Sequence, residues 1–401
     1  MKRSIIKRAY DGIASCPREK IIFLCIKALN ALFSGTFPVL LVCFYGIEKL
    51  GAVAQAIIII VALKTAMLFT SATLIQKIAI KGFNFKVFYI NQFYKELFVR
   101  IAISSVFFIF GYYFLAAAAV LTICSCFREN VSSSLGVNGR FFEFGILSYL
   151  PNSCVLVLII TLMGMGYEVR STVFIAFAVS DVFFFFLSWI YIPKISSNSL
   201  ESKLKVEISD FIRHYVLSLP TAVQSSAIAY FSNHTSLYNA GLFKIINTVG
   251  SFGGIAGLTI KEFVEPEFKE KLSNDDKLTN FIDQKWKCAA IIFGIIFIPV
   301  TIIYGKIVDV DVTVVLFSAY GLCVSFLLIP LTSPHVLYLY KMNREILLLL
   351  LRWGALVLFA AGVLFAMQFD SYMAVVYLAL SMILSRIIQS YVIVKFAYRE
   401  L

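Results

Sequence analysis

Charged side chains interrupt several otherwise apolar stretches of this chain. Six basic residues lie deep in such stretches, namely Lys27, Lys64, Arg128, Lys244, Arg352 and Arg386. Two acids, Glu129 and Asp181, accompany them. If all six bases faced lipid, the cost would be about 15–21 kcal/mol, more than the typical net stability of a domain. The bases must therefore pair with acids or face water, and two acids neutralise two bases at most.

Helical spacing places these charges on polar faces. Lys27, Asn30 and Ser34 follow an i, i+3, i+7 pattern, and Lys244 and Asn247 begin a second stripe. Similar stripes surround Arg128 and Arg386. We therefore predict a water-filled, net-cationic lumen between two helical bundles that selects an anionic cargo. The predicted lining residues are Lys27, Asn30, Lys64, Arg128, Lys244, Asn247, Arg352 and Arg386.

The two acids have more than one interpretation. Asp181, in "AVSDVFF", is a candidate for a proton-titrating group, and the alternative is a fixed partner of a lumen base. Glu129, beside Arg128, is a second candidate for proton coupling, although a structural ion pair explains it more simply. Arg100 lies near the inner end of its stretch, and we expect its side chain to reach the headgroups without a functional role.

The elements that must position these residues are membrane-spanning helices. The chain has 401 residues, of which 60% are hydrophobic and 14% charged, with a mean hydropathy of +0.88. A soluble protein could not cover so much apolar surface, so the composition indicates a polytopic membrane protein. Eight cysteines and three histidines form no CxxC motif or Cys/His cluster. We therefore predict no disulfide framework, no metal site and no cofactor.

Twelve apolar stretches are long enough to cross about 30 Å of hydrocarbon. The predicted spans are 21–45, 50–72, 97–113, 115–135, 144–164, 172–193, 211–232, 238–260, 288–304, 312–334, 346–366 and 372–395. The boundary inside 97–135 is placed at "GYY", residues 111–113. Spans seven and eight are polar enough for a hydropathy window to miss one of them. Only Lys49, Arg170 and Lys306 fall in predicted external turns, so the positive-inside rule places both termini in the cytoplasm.

A long cytoplasmic loop follows the second span of each set of six, which indicates two repeated halves. We predict an all-α membrane protein with two six-helix bundles. Its segments are a basic cytoplasmic leader at 1–20, an N-terminal bundle at 21–193, a cytoplasmic linker at 194–210 and a C-terminal bundle at 211–401. The leader runs directly into a span that is too long for a cleavable signal.

Several motifs follow residue 210. A proline lies early in span seven ("LSLPTAVQ", Pro220), and a tyrosine and a lysine lie in "LYNAGLFKIIN" (Tyr238, Lys244). Two more prolines lie in "VEPEFKE" (Pro266) and "FIPV" (Pro299). Through these motifs the chain, from about residue 210 onward, resembles the polysaccharide transporters of the MOP superfamily, in particular the Wzx-type O-antigen flippases. The first half is similar only in layout, through "FPVLLVCFYGIEKLG".

This resemblance implies a MATE-like fold that works by alternating access in the bacterial inner membrane. The implied cargo is undecaprenyl-pyrophosphate carrying an oligosaccharide repeat unit, flipped from the cytoplasmic to the periplasmic leaflet. The expected partners are this lipid-linked oligosaccharide, membrane lipids, a polysaccharide polymerase and a chain-length regulator.

Three alternatives stay open from the sequence. A MATE-like exporter of small cationic molecules would favour an acid-lined cavity, whereas bases dominate here. A membrane polymerase, ligase or glycosyltransferase would favour a large external loop with catalytic acids, whereas the external acids here lie in short turns. A structural component without transport is the third. The basic residues follow the membrane topology and form no patch, so no nucleic-acid partner is predicted.

Overall fold

A computed structural model describes residues 18–67, 85–137, 140–192, 208–274, 282–308, 313–342 and 344–399. Within these ranges the chain forms helices and no strands. Helices suit long apolar runs in lipid, because a helix satisfies its backbone hydrogen-bonding groups internally. The all-α prediction is therefore confirmed.

The described residues form thirteen helices, which correspond in order to the twelve predicted spans. They are α1 (Arg18–Tyr45), α2 (Ile47–Ala66), α3 (Phe85–Ile109), α4 (Tyr113–Val137), α5 (Phe141–Gly164), α6 (Val169–Tyr191), α7 (Ile208–His234), α8 (Leu237–Asn274), α9 (Gln284–Ile307), α10 (Thr313–Phe326), α11 (Leu328–Lys341), α12 (Glu345–Ala366) and α13 (Met373–Arg399). The pair α10 and α11 occupies the tenth predicted span.

Ten spans in the described ranges are long and apolar enough to cross a membrane, and α3 and α7 are not among them. The expectation that a hydropathy window misses span seven or eight is confirmed for span seven. Helix α3 begins at Phe85, well before the predicted start at residue 97, and its early part contains Lys86, Lys95 and Glu96. This polar extension lowers the mean hydropathy of the helix.

The predicted division between spans three and four is confirmed at Gly111. Helix α3 ends at Ile109, slightly before the predicted residue 113. Gly111 has φ 80°, a conformation that glycine adopts without a Cβ clash. The Tyr112 amide donates to the Phe107 carbonyl and the Gly111 amide donates to the Phe108 carbonyl, the pattern of a Schellman cap.

Helix α2 differs from the predicted span 50–72, since it ends at Ala66 with Met67 in a turn. Residues 68–72 lie outside the described residues. Lys64 is consequently in the last turn of α2 and not at the centre of a span. The partial negative charge at a helix C-terminus favours a cation at this position.

The tenth predicted span is broken in two at Leu327. Pro330 lies three residues beyond the break, and a proline lacks the amide that would bond to the carbonyl four residues earlier, that of Phe326. A Cβ added at Gly257 of α8 would lie 2.7 Å from this Phe326 carbonyl oxygen. The break therefore exposes a carbonyl group against a glycine of the neighbouring helix.

The chain divides into two compact units. Unit 1 comprises Met1–Ser34 and Leu63–Ser218, and unit 2 comprises Gly35–Ala62 and Leu219–Leu401. Helices α1, α2 and α7 thus contribute residues to both units. The predicted bundle bounds, 21–193 and 211–401, stay a prediction.

Each unit has its own packing. In unit 1, Phe127 of α4 stacks on Trp189 of α6 at 5.0 Å between ring centroids, and Phe93 and Phe185 pack around them. In unit 2, Gly253 of α8 faces Cys323 of α10 so closely that a Cβ has no room. Small residues allow membrane helices to approach in this way.

Candidate functional site

The predicted site residues divide between the two units. Unit 1 contains Lys27, Asn30, Lys64, Arg128, Glu129 and Asp181, and unit 2 contains Lys244, Asn247, Arg352 and Arg386. The units differ in how these charges are balanced. Their assignment to cargo binding or proton coupling stays a prediction.

Lys64 pairs with Glu129 inside unit 1. The Lys64 ammonium, in the last turn of α2, donates a hydrogen bond to the carboxylate of Glu129 on α4. The side chains are 21% and 39% exposed, so this pair is only partly buried. Lys64 is therefore neutralised where it lies, which explains how an apolar helix tolerates it.

Arg128 pairs with Asp181 in the interior of the same unit. The Nη2 of Arg128 lies 3.4 Å from Oδ1 of Asp181 on α6, and both side chains are almost completely buried. The Nη1 of Arg128 donates to the backbone carbonyl of Leu147 on α5. This guanidinium therefore connects three helices.

The structure shows which base each of the two acids contacts. Glu129 contacts Lys64, although it follows Arg128 directly in the chain. Asp181 contacts Arg128 and also interacts electrostatically with Lys64 and Glu129, and its role as a titrating group or a fixed partner stays a prediction. Two acids and two bases make this four-residue group formally neutral.

Lys27 and Asn30 lie where α1 packs against α5. Lys27 is buried, and its Nζ lies 5.7 Å from the ring centroids of both Phe23 and Tyr149. The Oδ1 of Asn30 accepts hydrogen bonds from Asn152 Nδ2 and Ser153 Oγ, each at 3.1 Å. Aromatic faces attract cations, so part of the cost of burying Lys27 is offset.

Arg100 was missed, and the expectation that it reaches the headgroups is wrong. Its side chain is completely buried. It donates to Glu96 Oε2 at 3.1 Å, to Thr122 Oγ1 at 3.3 Å and to the Met67 carbonyl at 2.7 Å. The signal in the sequence was the i, i+4 spacing of Glu96 and Arg100 on one helix face.

Side chains of unit 1 also satisfy the C-terminal end of α2. Arg100 donates to the Met67 carbonyl, Tyr215 donates to the Ala66 carbonyl at 3.1 Å, and Cys126 Sγ lies 3.8 Å from the Lys64 carbonyl. The last carbonyls of a helix lack intrahelical partners, so these donors stabilise the end of α2 and the backbone near Lys64.

Lys244 in unit 2 has a different environment. Lys244 and Asn247 lie one turn apart on α8, and both are partly buried. In the part of the chain that the structure describes, neither side chain has a hydrogen-bond or ion-pair partner. Thr248 and Ser251 of the same stripe donate to carbonyls of their own helix.

Arg386 lies beside the break between α10 and α11. Its Nη1 donates to Ser325 Oγ at 3.0 Å, and its Cζ lies 3.7 Å from the centroid of the Phe326 ring. Among the described residues it contacts no carboxylate. The C-terminal end of α10 carries a partial negative charge that stabilises the guanidinium. Arg352, on α12, is partly buried.

Neither a model of a known protein family nor a curated protein sequence matches the chain. Solved structures do match it. The MATE multidrug transporter DinF-BH, determined as a complex, has a TM-score of 0.62 and 15% identity, over 95% of this chain and 93% of that one.

Two further structures match over the same shares, 95% of this chain and 93% of theirs. A MOP superfamily transporter from Pyrococcus furiosus has a TM-score of 0.55 at 11% identity. An outward-facing multidrug resistance MATE family transporter has a TM-score of 0.52 at 14% identity. This chain shares the fold of these three solved structures. It is a multi-pass membrane protein whose structural neighbours are transporters.

Proposed function

We propose that this protein is a flippase for undecaprenyl-pyrophosphate-linked oligosaccharide, such as an O-antigen repeat unit. It moves this cargo from the cytoplasmic to the periplasmic leaflet of a bacterial inner membrane by alternating access. Side chains of a cationic lumen replace water around the pyrophosphate, and the lipid tail stays in the bilayer. The protein is a transporter and not an enzyme.

The observation that carries this proposal is the positive charge of Lys244 and Arg386 in unit 2. Lys244 and Arg386 lie within membrane helices, and in the described ranges no carboxylate neutralises either of them. A charge that faces lipid costs about 2.5–3.5 kcal/mol at a span centre, so these two cations favour contact with water or with an anion. A phosphate-bearing head group supplies such an anion.

The membrane potential favours the proposed direction. A pyrophosphate head carries about two negative charges, and each charge that crosses the potential is worth about 2.3 kcal/mol per 100 mV. Outward movement of an anion is downhill, because the inside of the cell is negative. The potential can therefore bias export without a bound cofactor.

Sequence features and one structural neighbour add support. Lys244 is the lysine of "LYNAGLFKIIN", which resembles the Wzx-type flippases. The Pyrococcus furiosus transporter is described as having a binding pocket of reverse polarity that suggests a different function. In the described residues of this chain, Lys244 and Arg386 are cations that no carboxylate neutralises. A polysaccharide polymerase and a chain-length regulator are the partners that would use the flipped cargo.

A MATE-like exporter of small molecules is the second candidate. It is favoured by the fold shared with two multidrug transporters, DinF-BH and the outward-facing MATE protein. The two candidates differ in the charge of the cargo, since a cationic drug would be repelled by Lys244 and Arg386. Protection of cells from cationic dyes is the activity that this alternative requires.

A deletion strain tests the proposed function. Loss of the protein is expected to remove surface polysaccharide and to leave undecaprenyl-pyrophosphate-linked units on the cytoplasmic leaflet, and a plasmid copy of the gene should restore both. Accumulation of fully translocated but unpolymerised units would instead indicate a polymerase. Normal polysaccharide together with increased sensitivity to cationic dyes would favour the small-molecule exporter.

A further inference from the structure

We propose that Glu129 is an internal counter-ion which the anionic head of the cargo displaces from Lys64. This inference rests on the proposed function, because it assumes an anionic cargo. It assigns to Glu129 a role in cargo release: the carboxylate occupies Lys64 whenever the cargo is absent. In this role Glu129 competes with the cargo for Lys64 and promotes cargo release, and it does not need to carry a proton.

Exposure distinguishes this ion pair from its neighbour. The Lys64 and Glu129 side chains are 21% and 39% exposed, whereas those of Arg128 and Asp181 are 6% and 7% exposed. A carboxylate exposed to this extent within a membrane span is costly if it faces lipid. Glu129 therefore faces a water-accessible space, and an anion in that space can reach Lys64.

Lys64 and Arg128 also differ in their number of hydrogen-bond partners. An ammonium has three donors, and Glu129 is the side-chain partner of the Lys64 ammonium in the part of the chain described. Arg128 is held by Asp181 and also by the Leu147 carbonyl. Exchange at Lys64 breaks one contact, whereas exchange at Arg128 would break two in a buried setting.

The position of Lys64 is also fixed independently of Glu129. Tyr215 and Cys126 contact carbonyls in the last turn of α2, and Arg100 donates to the carbonyl of Met67, the residue after this helix. The backbone beneath Lys64 therefore does not depend on the ion pair. When Glu129 moves away, the ammonium stays where a phosphate oxygen can replace the carboxylate.

Competition between two anions for one cation has a defined consequence. Each must displace the other, so the carboxylate weakens binding of the cargo by the free energy of its own contact with Lys64. The same carboxylate helps expel the cargo once the site opens to the far side. Removing its charge should therefore strengthen binding and slow release.

Other charged groups surround the Lys64–Glu129 pair, and their effect on cargo binding can be separated from that of Glu129. Arg128 precedes Glu129 on α4, Asp181 lies on α6, Glu96 and Arg100 lie on α3, and Glu143 lies on α5. Arg100 pairs with Glu96, and Arg128 pairs with Asp181. These groups are buried, so the substitution Glu129→Gln changes the charge chiefly at the accessible pair.

The test measures binding of undecaprenyl pyrophosphate to the purified full-length protein in nanodiscs, with undecaprenol as the uncharged comparison. Glu129→Gln is expected to bind the pyrophosphate about tenfold more tightly than the wild type, and undecaprenol equally. Glu168→Gln is the matched control: it removes the same charge from an exposed residue at the start of α6 that makes no capping hydrogen bond. Its affinity should equal that of the wild type.

A double-mutant cycle with Lys64→Leu assigns the effect to the pair. Glu129→Gln should lose most of its effect when Lys64 is leucine. Equal or weaker pyrophosphate binding by Glu129→Gln would overturn this inference and leave the proposed function intact. Wild-type protein that does not prefer the pyrophosphate to undecaprenol would overturn both. If Glu129→Gln does not accumulate, Glu129→Asp, whose shorter side chain weakens the contact, must show a smaller increase in affinity.

Discussion

Arg128 and Asp181 form a buried ion pair in which Nη2 of the guanidinium lies 3.4 Å from Oδ1 of the carboxylate. Removal of one partner leaves an uncompensated buried charge, which typically costs about 3–5 kcal/mol. Asp181→Asn should therefore lower the thermal unfolding temperature of the purified protein and its abundance in the membrane. The double variant Arg128→Met with Asp181→Leu should recover much of the stability, since neither charge remains.

A different outcome would indicate that Asp181 is a proton-titrating group. If Asp181→Asn unfolds and accumulates like the wild type while its transport loses its dependence on pH, Asp181 titrates during transport. Unchanged unfolding, abundance and pH profile would remove it from both roles.

Arg100 should be essential for the folding of unit 1. Arg100→Met leaves the Glu96 carboxylate buried without its partner and removes the donor to the Met67 carbonyl, so we expect a loss of about 3–5 kcal/mol in stability. Arg100→Lys should rescue it poorly, because an ammonium lacks the planar fork of a guanidinium. Lys95→Met, at an exposed position of the same helix, is the control and should stay within about 0.5 kcal/mol. Equal stability of Arg100→Met and Lys95→Met, measured by chemical unfolding, would contradict the assignment.

The contact between α8 and α10 should not tolerate a methyl group at Gly253. An added Cβ would collide with the Cys323 carbonyl oxygen and lie 2.8 Å from its Sγ. Gly253→Ala should therefore cost about 1–3 kcal/mol through overpacking. Gly354→Ala on α12 offers the comparison, because no atom lies within 4 Å of its added Cβ. Thermal unfolding of both variants decides the matter, and equal unfolding temperatures would show that the two helices are not in close contact.

Topology can be tested with reporter fusions. Fusions at Asn233 and Asp370 should report the periplasm, and fusions at Lys86, Ser202 and Asp275 should report the cytoplasm, because basic residues concentrate in the predicted cytoplasmic segments. Two or more inverted results would reject the predicted orientation and the depth assigned to each charge.

Much of the fold could be predicted because lipid imposes helices on long apolar runs. The division at Gly111 could also be predicted, because a glycine followed by two tyrosines interrupts the apolar run. The break at Leu327 was not predicted. Pro330 is visible in the sequence, but whether a proline kinks or ends a helix depends on its neighbours. Here Gly257 of α8, which is far away in the sequence but adjacent in space, makes room for the freed Phe326 carbonyl.

The number of ion pairs could be predicted from the sequence, but the partners in each pair could not. Two acids were expected to neutralise two bases, and Glu129 and Asp181 do neutralise Lys64 and Arg128. Glu129 follows Arg128 directly in the chain, yet it contacts Lys64. Successive residues of a helix do not face each other, so the two side chains point to different neighbouring helices.

The most direct test of the central claim is the translocation of a fluorescent pyrophosphate-linked polyprenyl oligosaccharide by the purified protein in proteoliposomes. Lys244→Leu and Arg386→Leu should each reconstitute normally and lose transport by about tenfold or more, because each removes a cation that no carboxylate neutralises in the described residues. Lys306→Leu, at an exposed position near the end of α9, should transport like the wild type. Full activity of both Lys244→Leu and Arg386→Leu would contradict the account.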